Sequence, residues 1–195
     1  MKLYLIRHGQ SEGNLQKRHS GWQPFALTEQ GRAEAAYVGT LLRDIPFDKI
    51  YSSDLKRAVE TQQLALPDAE VERSPLLREI NVGNLGGRPF EECLAEFGES
   101  YAAARRGFEF SPYGGESYEE FRSRICEFLT LMEQSEYQSV ACFCHGGLIN
   151  TMLDVISGHR LYRPNFRCQN CSISVFEYQD GRWRVNLWNY TGMIG

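Results

Sequence analysis

The sequence of 195 residues lacks the long apolar segments that mark membrane and secreted proteins. No apolar run could span a bilayer, and the four apolar residues before Arg7 are too few for a secretory signal peptide. Without such a signal, the six cysteines are expected to be reduced thiols, not a disulfide framework. These absences predict a cytoplasmic protein without membrane contact.

The chain also has little excess charge of either sign. A net charge of −4 gives no general attraction to nucleic acid, so we expect no nucleic-acid partner. Any anion must therefore be bound by a local cluster of side chains. Hydrophobic residues make up 42% and charged residues 24%, as is ordinary for a globular protein, and we find no internal repeat, linker or low-complexity segment. Length and composition predict one domain over residues 1–195.

Short apolar runs alternate with segments of helical periodicity. Buried strands are predicted at residues 3–6, 47–51 and 139–144, and a closing hairpin at residues 172–178 and 182–187. Helices are predicted at residues 29–43, from 52–54 to about 66, after Pro89, from 118 onwards and at 148–157. This alternation predicts an α/β fold, a three-layer α/β/α sandwich with a mainly parallel sheet.

Several helix starts carry recognisable signatures. Thr28 is a plausible N-cap, and the spacing of Ser117 and Glu120 is that of a capping box. We expect residues 52–54, Ser-Ser-Asp, to begin a helix because their oxygens can accept from free amides. After the capping box, one apolar stripe predicts a core-facing surface, formed by Phe121, Ile125, Phe128, Leu129 and Met132.

Two predicted strands end in the same local pattern, a histidine followed by glycine. The first is Arg7-His8-Gly9 and the second is Cys144-His145-Gly146-Gly147. Ligands of open α/β sheets bind at the carboxyl ends of the strands, so neighbouring strands would bring both histidines to one crevice. The second pattern also opens a helix, whose unpaired amides favour a phosphate. The pair of histidines therefore indicates a functional site.

Four motifs in this order make the chain resemble the histidine phosphatase superfamily, also called the phosphoglycerate mutase-like family, over nearly its whole length. The motifs are Leu5-Ile6-Arg7-His8-Gly9-Gln10-Ser11-Glu12-Gly13-Asn14, Tyr51-Ser52-Ser53-Asp54-Leu55-Lys56-Arg57-Ala58, Leu77-Arg78-Glu79 and His145-Gly146-Gly147. Gly21-Trp22 and Leu27-Thr28-Glu29-Gln30-Gly31 also match the family pattern. The departures are modest: Gln10 and Ser11 replace a commoner acidic residue and threonine, and Ala26 replaces a frequent proline.

The resemblance implies a phosphatase that attacks a phosphate ester with His8 and forms a phosphohistidine. It implies that the phosphoryl group is bound by Arg7, Asn14, Arg57, His145 and Gly146, with Ser20 and Gly21 at the entrance. Glu79 is expected to be the general acid, and the alternative is a loop carboxylate paired with Arg78. No metal ligand and no cofactor are predicted.

The family pattern leaves the reaction type open between three alternatives. Mutases carry a segment resembling His-Tyr-Gly after the acidic residue and a longer insertion before the second histidine. Neither feature is present here, where Ile80-Asn81-Val82-Gly83 follows Glu79. Hydrolysis of a small phosphorylated metabolite is therefore the first expectation, phosphoglycerate mutase-type transfer the second, and a catalytically silent phospholigand-binding domain the third. Specificity is expected to lie at residues 89–115, and no oligomeric state is predicted.

A few residues of suggestive type are expected to be structural. Cys168-Gln169-Asn170-Cys171 has metal or redox spacing but lacks the second ligand pair of a zinc site, so packing thiols are the expectation. Arg124 is expected on a solvated helix face. His19 is expected at the surface, with contact to an anionic substrate as the alternative.

Overall fold

The structure, a computed structural model, describes residues 1–160 and 166–192. Its strands are β1 (Lys2–Arg7), β2 (Lys49–Ser52), β3 (Glu72–Arg73), β4 (Ser139–Cys144), β5 (Ile173–Gln179) and β6 (Arg182–Tyr190). Its α-helices are α1 (Glu12–Leu15), α2 (Glu29–Leu42), α3 (Lys56–Ala65), α4 (Phe90–Gly107), α5 (Tyr118–Glu133) and α6 (Gly146–Ser157). The predicted strands and helices are present. The short elements α1 and β3 were not predicted, and α1 lies in a segment that was expected to be a loop.

The strands form one mixed sheet in the order β3-β2-β4-β1-β5-β6. The pairs β3-β2, β2-β4 and β4-β1 are parallel, and the pairs β1-β5 and β5-β6 are antiparallel. The antiparallel part contains the predicted closing hairpin. The mainly parallel sheet with flanking helices confirms the predicted α/β class.

Alternating side chains of the central strands enter two separate cores. On β4, Val140, Cys142 and Cys144 pack in the core that contains the apolar stripe of α5 and the buried face of α6. Ala141 and Phe143, on the opposite face, pack with residues of α2 and α3. Since successive strand residues point to opposite faces, a strand buried on both sides must be apolar throughout, as β4 is. The two cores make the three layers.

The capping predictions are confirmed at two helices. The Thr28 side chain accepts from the Gly31 amide, and Ser117 and Glu120 form both bonds of a capping box. The five residues of the predicted α5 stripe are all buried.

The prediction that Ser52-Ser53-Asp54 begins a helix is wrong. Ser52 is the last residue of β2 and pairs with both β3 and β4, so the sheet outcompetes local capping at this point. The helix starts later, at Lys56, with Leu55 as N-cap. The two following side chains, of Ser53 and Asp54, are thereby free to contact His145 and Arg78.

Helix α4 lies over the carboxyl end of the sheet and bends inside its length. Pro89 is its N-cap, one residue earlier than the predicted first turn. The bend is at Gly98, whose φ of 56° and ψ of −134° belong to a region open to glycine and costly for other residues. Among the described residues, no helix combines the length and apolar character that a membrane crossing requires.

Candidate active site

The two histidines lie side by side because their strands are neighbours. In the parallel register of β1 and β4, Arg7 pairs with Cys144, and the His8 amide donates to the Cys144 carbonyl at 3.0 Å. The next residue on each strand is therefore a histidine, and the His8 and His145 ring centroids are 5.2 Å apart. Both side chains are buried. The sequence prediction that both reach one crevice is confirmed by this geometry.

Hydrogen bonds select the tautomer of His8. Its Nδ1 lies 2.7 Å from the carbonyl oxygen of Gly9, which can only accept, so Nδ1 carries the proton. Its Nε2 lies 3.2 Å from Nε of Arg57, which can only donate. Nε2 is therefore the unprotonated nitrogen, and its lone pair can act as a nucleophile once it no longer accepts from Arg57.

Arg57 joins the first histidine to the entrance loop. Its side chain is 1% exposed, and besides His8 it donates to the carbonyls of Gly21 at 2.8 Å and Gln23 at 3.3 Å. A guanidinium has five N–H donors, so these contacts leave two for oxygens of a bound phosphoryl group. Gly21 thus contributes through its carbonyl, as part of the wall that holds Arg57.

Arg7 and His145 present the polar atoms that an anion could satisfy. Arg7 donates through Nη1 to the Cys168 carbonyl, and Nε2 of His145 lies 2.9 Å from Oγ of Ser53. Within the described residues, Nε of Arg7 and Nδ1 of His145 are buried without a hydrogen-bond partner. Buried polar atoms are normally paired, so these two atoms fit a site for a ligand's oxygens. Gly146 lies directly against Arg7.

Glu79 is held in place by two backbone amides. Its Oε1 accepts from Ile80 at 3.0 Å and its Oε2 from Gly147 at 2.9 Å. A Cβ on residue 147 would lie 2.2 Å from Oε1, so only glycine allows this approach. Arg78 instead forms a salt bridge with Asp54, at 2.7 Å and 2.5 Å. The alternative pairing of Glu79 with Arg78 is therefore absent.

Arg124 and Trp22 fix the loop that carries Glu79, and sequence reasoning missed the first. Arg124 donates to the carbonyls of Leu76, Arg78 and Glu79 at 2.8–3.2 Å, and its guanidinium also pairs with Glu116. The prediction that it lies on a solvated helix face is wrong. The indole of Trp22 donates to the Glu79 carbonyl at 2.8 Å. The Glu79 carbonyl thus accepts from both Arg124 and Trp22, which fixes the backbone that carries the candidate carboxylate.

A cavity of about 180 Å³ adjoins these groups. Asn14, Ser20, Gly21 and Glu79 line it. Its wall also contains three phenylalanines and two arginines, namely Phe90, Phe108, Phe110, Arg18 and Arg105. Part of this wall comes from the segment 89–115 that the sequence predicted to govern specificity.

His19 lines the cavity but is buried, so its predicted surface position is wrong. It is 5% exposed, and its Nε2 lies 2.7 Å from the Tyr101 hydroxyl on α4. Its ring packs edge-on against Phe90, 4.7 Å between centroids. Its backbone pairs with Arg88 and Gly87. The residue ties the entrance loop to α4.

Burial and positive charge keep the site's imidazoles neutral, whereas Arg57 stays charged despite its burial. Burial, with the nearby Arg57 and Arg7, lowers the pKa of His8 well below its ordinary 6.5. Burial lowers the pKa of His145 in the same way, aided by Arg57 and His8. Burial also lowers the pKa of Arg57 to about 10, which leaves it charged at neutral pH. The site is a cationic pocket beside a neutral imidazole.

These histidines should make folding stability depend on pH. Burial lowers the pKa of His19 too, from 6.5 to about 4, so three histidines bind protons more readily in the unfolded chain. Their stabilisation is complete above the unfolded pKa and is lost as the pH falls below it. Between pH values of about 6.5 and 5, we expect the free energy of unfolding to fall with a slope that approaches about 1.4 kcal/mol per pH unit for each of them.

Urea unfolding at a series of pH values measures this slope. The variant His19→Gln, which can still bond to Tyr101, should lose one histidine's share of it. The carboxylates of Asp48, Asp54 and Glu120 also have lowered pKa values. They change the stability only below the ordinary values of 3.8 for aspartate and 4.5 for glutamate, which lie outside this pH window. A stability that stays constant through the window would contradict the assignment of buried neutral histidines.

The cysteines of the structure are all free. Among the residues that the structure describes, no three His, Cys, Asp or Glu side chains are grouped so as to hold a metal ion. The predicted site residues lie close together. His8 contacts Arg57 and the ring of His145, Gly146 lies against Arg7, Glu79 accepts from Gly147, and Asn14, Ser20 and Gly21 line the adjoining cavity.

Comparisons with known proteins point to one family. A sequence model of the histidine phosphatase superfamily (branch 1) matches residues 3–191. An adenosylcobalamin/alpha-ribazole phosphatase of Salmonella typhimurium is 33% identical over 157 residues, 78% of either chain. A 2,3-bisphosphoglycerate-dependent phosphoglycerate mutase of Gloeobacter violaceus is 36% identical over 189 residues, 91% of this chain and 85% of the relative. The alpha-ribazole phosphatase structure from Shigella flexneri superimposes with a TM-score of 0.88 at 28% identity, covering 98% of this chain and 97% of its own.

Proposed function

Because this chain belongs to the histidine phosphatase superfamily (branch 1), we propose that it hydrolyses a small phosphomonoester through a phosphohistidine on His8. The observation that carries the proposal is the unprotonated Nε2 of His8, which lies among Arg57, Arg7 and His145 with the carboxylate of Glu79 nearby. A neutral imidazole inside a cationic pocket is suited to attack on a phosphate dianion.

The reaction takes place in two steps. In the first, Nε2 of His8 attacks phosphorus, the bond from phosphorus to the ester oxygen breaks, and protonated Glu79 transfers its proton to the departing alkoxide. In the second, Glu79 accepts a proton from water as the water attacks phosphorus, and the phosphorus–nitrogen bond breaks. Arg7 and Arg57 neutralise the charge on the phosphoryl oxygens in both steps, and the neutral His145 donates a hydrogen bond to one of them.

The size of the cavity supports a compact leaving group. Glu79 lines both the cavity and the cluster of histidines, so an alcohol that takes its proton there extends into the cavity. An apolar cavity of about 150 Å³ holds a benzene ring. The volume of about 180 Å³ therefore suits a ring or a short chain. The wall of phenylalanines favours apolar parts, and the arginines at its edge favour an acceptor or a negative group.

Hydrolysis is favoured over mutase chemistry by the segment between the acidic loop and the second histidine. A mutase must hold its intermediate away from water, which requires extra enclosing structure. The structure describes all of residues 79–145, which contain two α-helices. Helix α5 packs in the core, so α4 is the α-helix of this segment that could enclose the cavity. The similarity to known mutases makes phosphoglycerate mutase-type transfer the second candidate.

Assays of the purified protein in excess EDTA test the proposal. We expect steady release of inorganic phosphate from compact phosphomonoesters, unaffected by EDTA, because Arg7 and Arg57 supply the positive charge that a metal ion supplies elsewhere. A bulky phosphomonoester of equal leaving-group pKa is the matched control for cavity size and should react more slowly.

The same samples are assayed for the interconversion of 2- and 3-phosphoglycerate. Interconversion faster than phosphate release would assign the protein to the mutases. Phosphate binding without either reaction would indicate a silent phospholigand-binding domain. Activity that EDTA removes and a divalent ion restores would overturn the mechanism.

A further inference from the structure

The segment Cys168–Cys171 contacts three of the proposed site residues. The Cys168 carbonyl accepts from Nη1 of Arg7, and the Cys171 amide donates to the carbonyls of Arg7 at 3.1 Å and His8 at 3.3 Å. The Asn170 side chain donates through Nδ2 to the His8 carbonyl at 2.9 Å and to Oδ1 of Asn14 at 3.2 Å. The segment therefore touches the site through its backbone and through Asn170.

The two thiols of the segment do not take part in these contacts. Burial raises the pKa of Cys168, and it raises the pKa of Cys171 to about 12, so both are protonated at neutral pH. The Cys168 sulfur lies 3.5 Å from Oγ of Ser172. The geometry gives the segment a function that its cysteine spacing does not indicate.

The amide of Asn14 has an orientation that its neighbours dictate. Its Oδ1 accepts from the Ser11 amide and the Ser11 hydroxyl, both at 3.1 Å, and from Nδ2 of Asn170. Because these donors converge on the oxygen, the nitrogen Nδ2 is the end that remains for a ligand. Asn14 also lines the cavity beside Glu79. An amide turned the other way would present an oxygen to a phosphoryl oxygen and repel it.

We propose that Asn170 is a positioning residue that orients Asn14 so that its Nδ2 donates to the phosphoryl group. The inference rests on the proposed function, in which Asn14 binds that group. Asparagine suits the role because one amino group carries two hydrogens, which serve the His8 carbonyl and Oδ1 of Asn14 together. Aspartate at this position has no donor and places a negative charge beside two acceptors.

Steady-state kinetics with an aryl phosphate and titration with inorganic phosphate test the role of Asn170. We expect Asn170→Asp to raise KM, and the dissociation constant of phosphate, by about 10- to 100-fold, the range for losing a hydrogen bond to a charged group. The change in kcat should be smaller, because His8 and Glu79 remain. Asn186→Asp is the matched control: Asn186 is exposed on β6 and also donates to an acceptor, Glu177, and we expect less than about a twofold change there.

A double-mutant cycle with Asn14→Ala separates positioning from general support of the fold. If Asn170 acts through Asn14, adding Asn170→Asp to Asn14→Ala should weaken phosphate binding little further. Full additivity of the two effects would overturn the proposal. Asn170→Ser, which keeps one donor, should give an intermediate loss, and it replaces the aspartate variant in the cycle if that variant does not fold.

Phosphate binding also distinguishes this inference from the proposed function. If the wild-type protein binds phosphate but does not hydrolyse esters, the proposed function fails and the cycle still measures the coupling of Asn170 with Asn14. If the wild type hydrolyses esters and Asn170→Asp matches the Asn186→Asp control in KM and phosphate affinity, only the inference about Asn170 fails.

Discussion

Replacing His8 with alanine is expected to lower kcat by on the order of 10⁴-fold or more, the scale of removing a nucleophile in other covalent enzymes. No nearby group replaces it in the proposed mechanism: Nδ1 of His145 donates its proton to a phosphoryl oxygen, Nε2 of His145 lies against Oγ of Ser53, and the guanidinium of Arg57 is charged. Affinity for inorganic phosphate should fall by less than about tenfold, because the variant loses one neutral contact while the cationic groups stay. Chemistry and binding should therefore separate.

Phosphate release and calorimetric titration with inorganic phosphate measure the two effects. His159→Ala is the matched control. His159 is exposed and follows the C-terminal end of α6, so its replacement should leave both values unchanged. Turnover of His8→Ala within tenfold of the wild-type rate would exclude His8 as the nucleophile.

Replacing Glu79 with glutamine should slow the hydrolysis of an alkyl phosphate by about 10²- to 10⁴-fold, the usual contribution of a general acid. An alkoxide needs a proton to leave, and the amide cannot supply one. An activated aryl phosphate, whose leaving group departs as a stable anion, should lose much less in the first step. The rate with the alkyl phosphate therefore depends on the proton from Glu79, and the first step with the aryl phosphate depends on it much less.

The contacts of Glu79 add an effect that is common to both substrates. Each carboxylate oxygen accepts from a backbone amide, of Ile80 or of Gly147, and the amino group of glutamine can accept from neither. The variant therefore loses one of these hydrogen bonds, and its side chain shifts. Because this disturbance applies to any substrate, the ratio of the alkyl and aryl losses isolates proton transfer.

Rapid-quench labelling with an aryl phosphate should trap acid-labile phosphate on His8 of this variant, since the second step also needs Glu79 to activate water. Glu127→Gln, an exposed position on α5, provides the control for the substitution itself. Equal losses for both substrates without a trapped phosphohistidine would mean that Glu79 only positions the substrate.

The sequence was sufficient to predict the two histidines at one crevice because the pattern is local. A short apolar run, a histidine and a glycine occur twice, and the rules of parallel sheets bring the ends of such strands together. The capping of α2 and α5 was predictable for the same reason, since the signal lies within four residues.

Contacts between distant segments could not be predicted from the sequence. Arg124 donates to backbone carbonyls of the Glu79 loop, and every residue has such a carbonyl. The sequence around Arg124 therefore gives no sign of this contact, and a solvated helix face was the expected position. His19 and Tyr101 are 82 residues apart, and neither spacing nor composition relates them. The helix start predicted at Ser52 was wrong for a different reason. Serine favours helix N-caps, but Ser52 pairs with two neighbouring strands instead.

The register between β1 and β4 has a consequence for how this scaffold can diversify. The imidazoles are fixed by hydrogen bonds between two buried strands, whereas much of the wall facing the substrate's alcohol comes from α4 and the turn after it. Exchange of residues in that wall leaves the strand pair intact. New substrate preferences can therefore arise through substitutions in this wall. The residues that we propose bind the phosphoryl group would keep their positions.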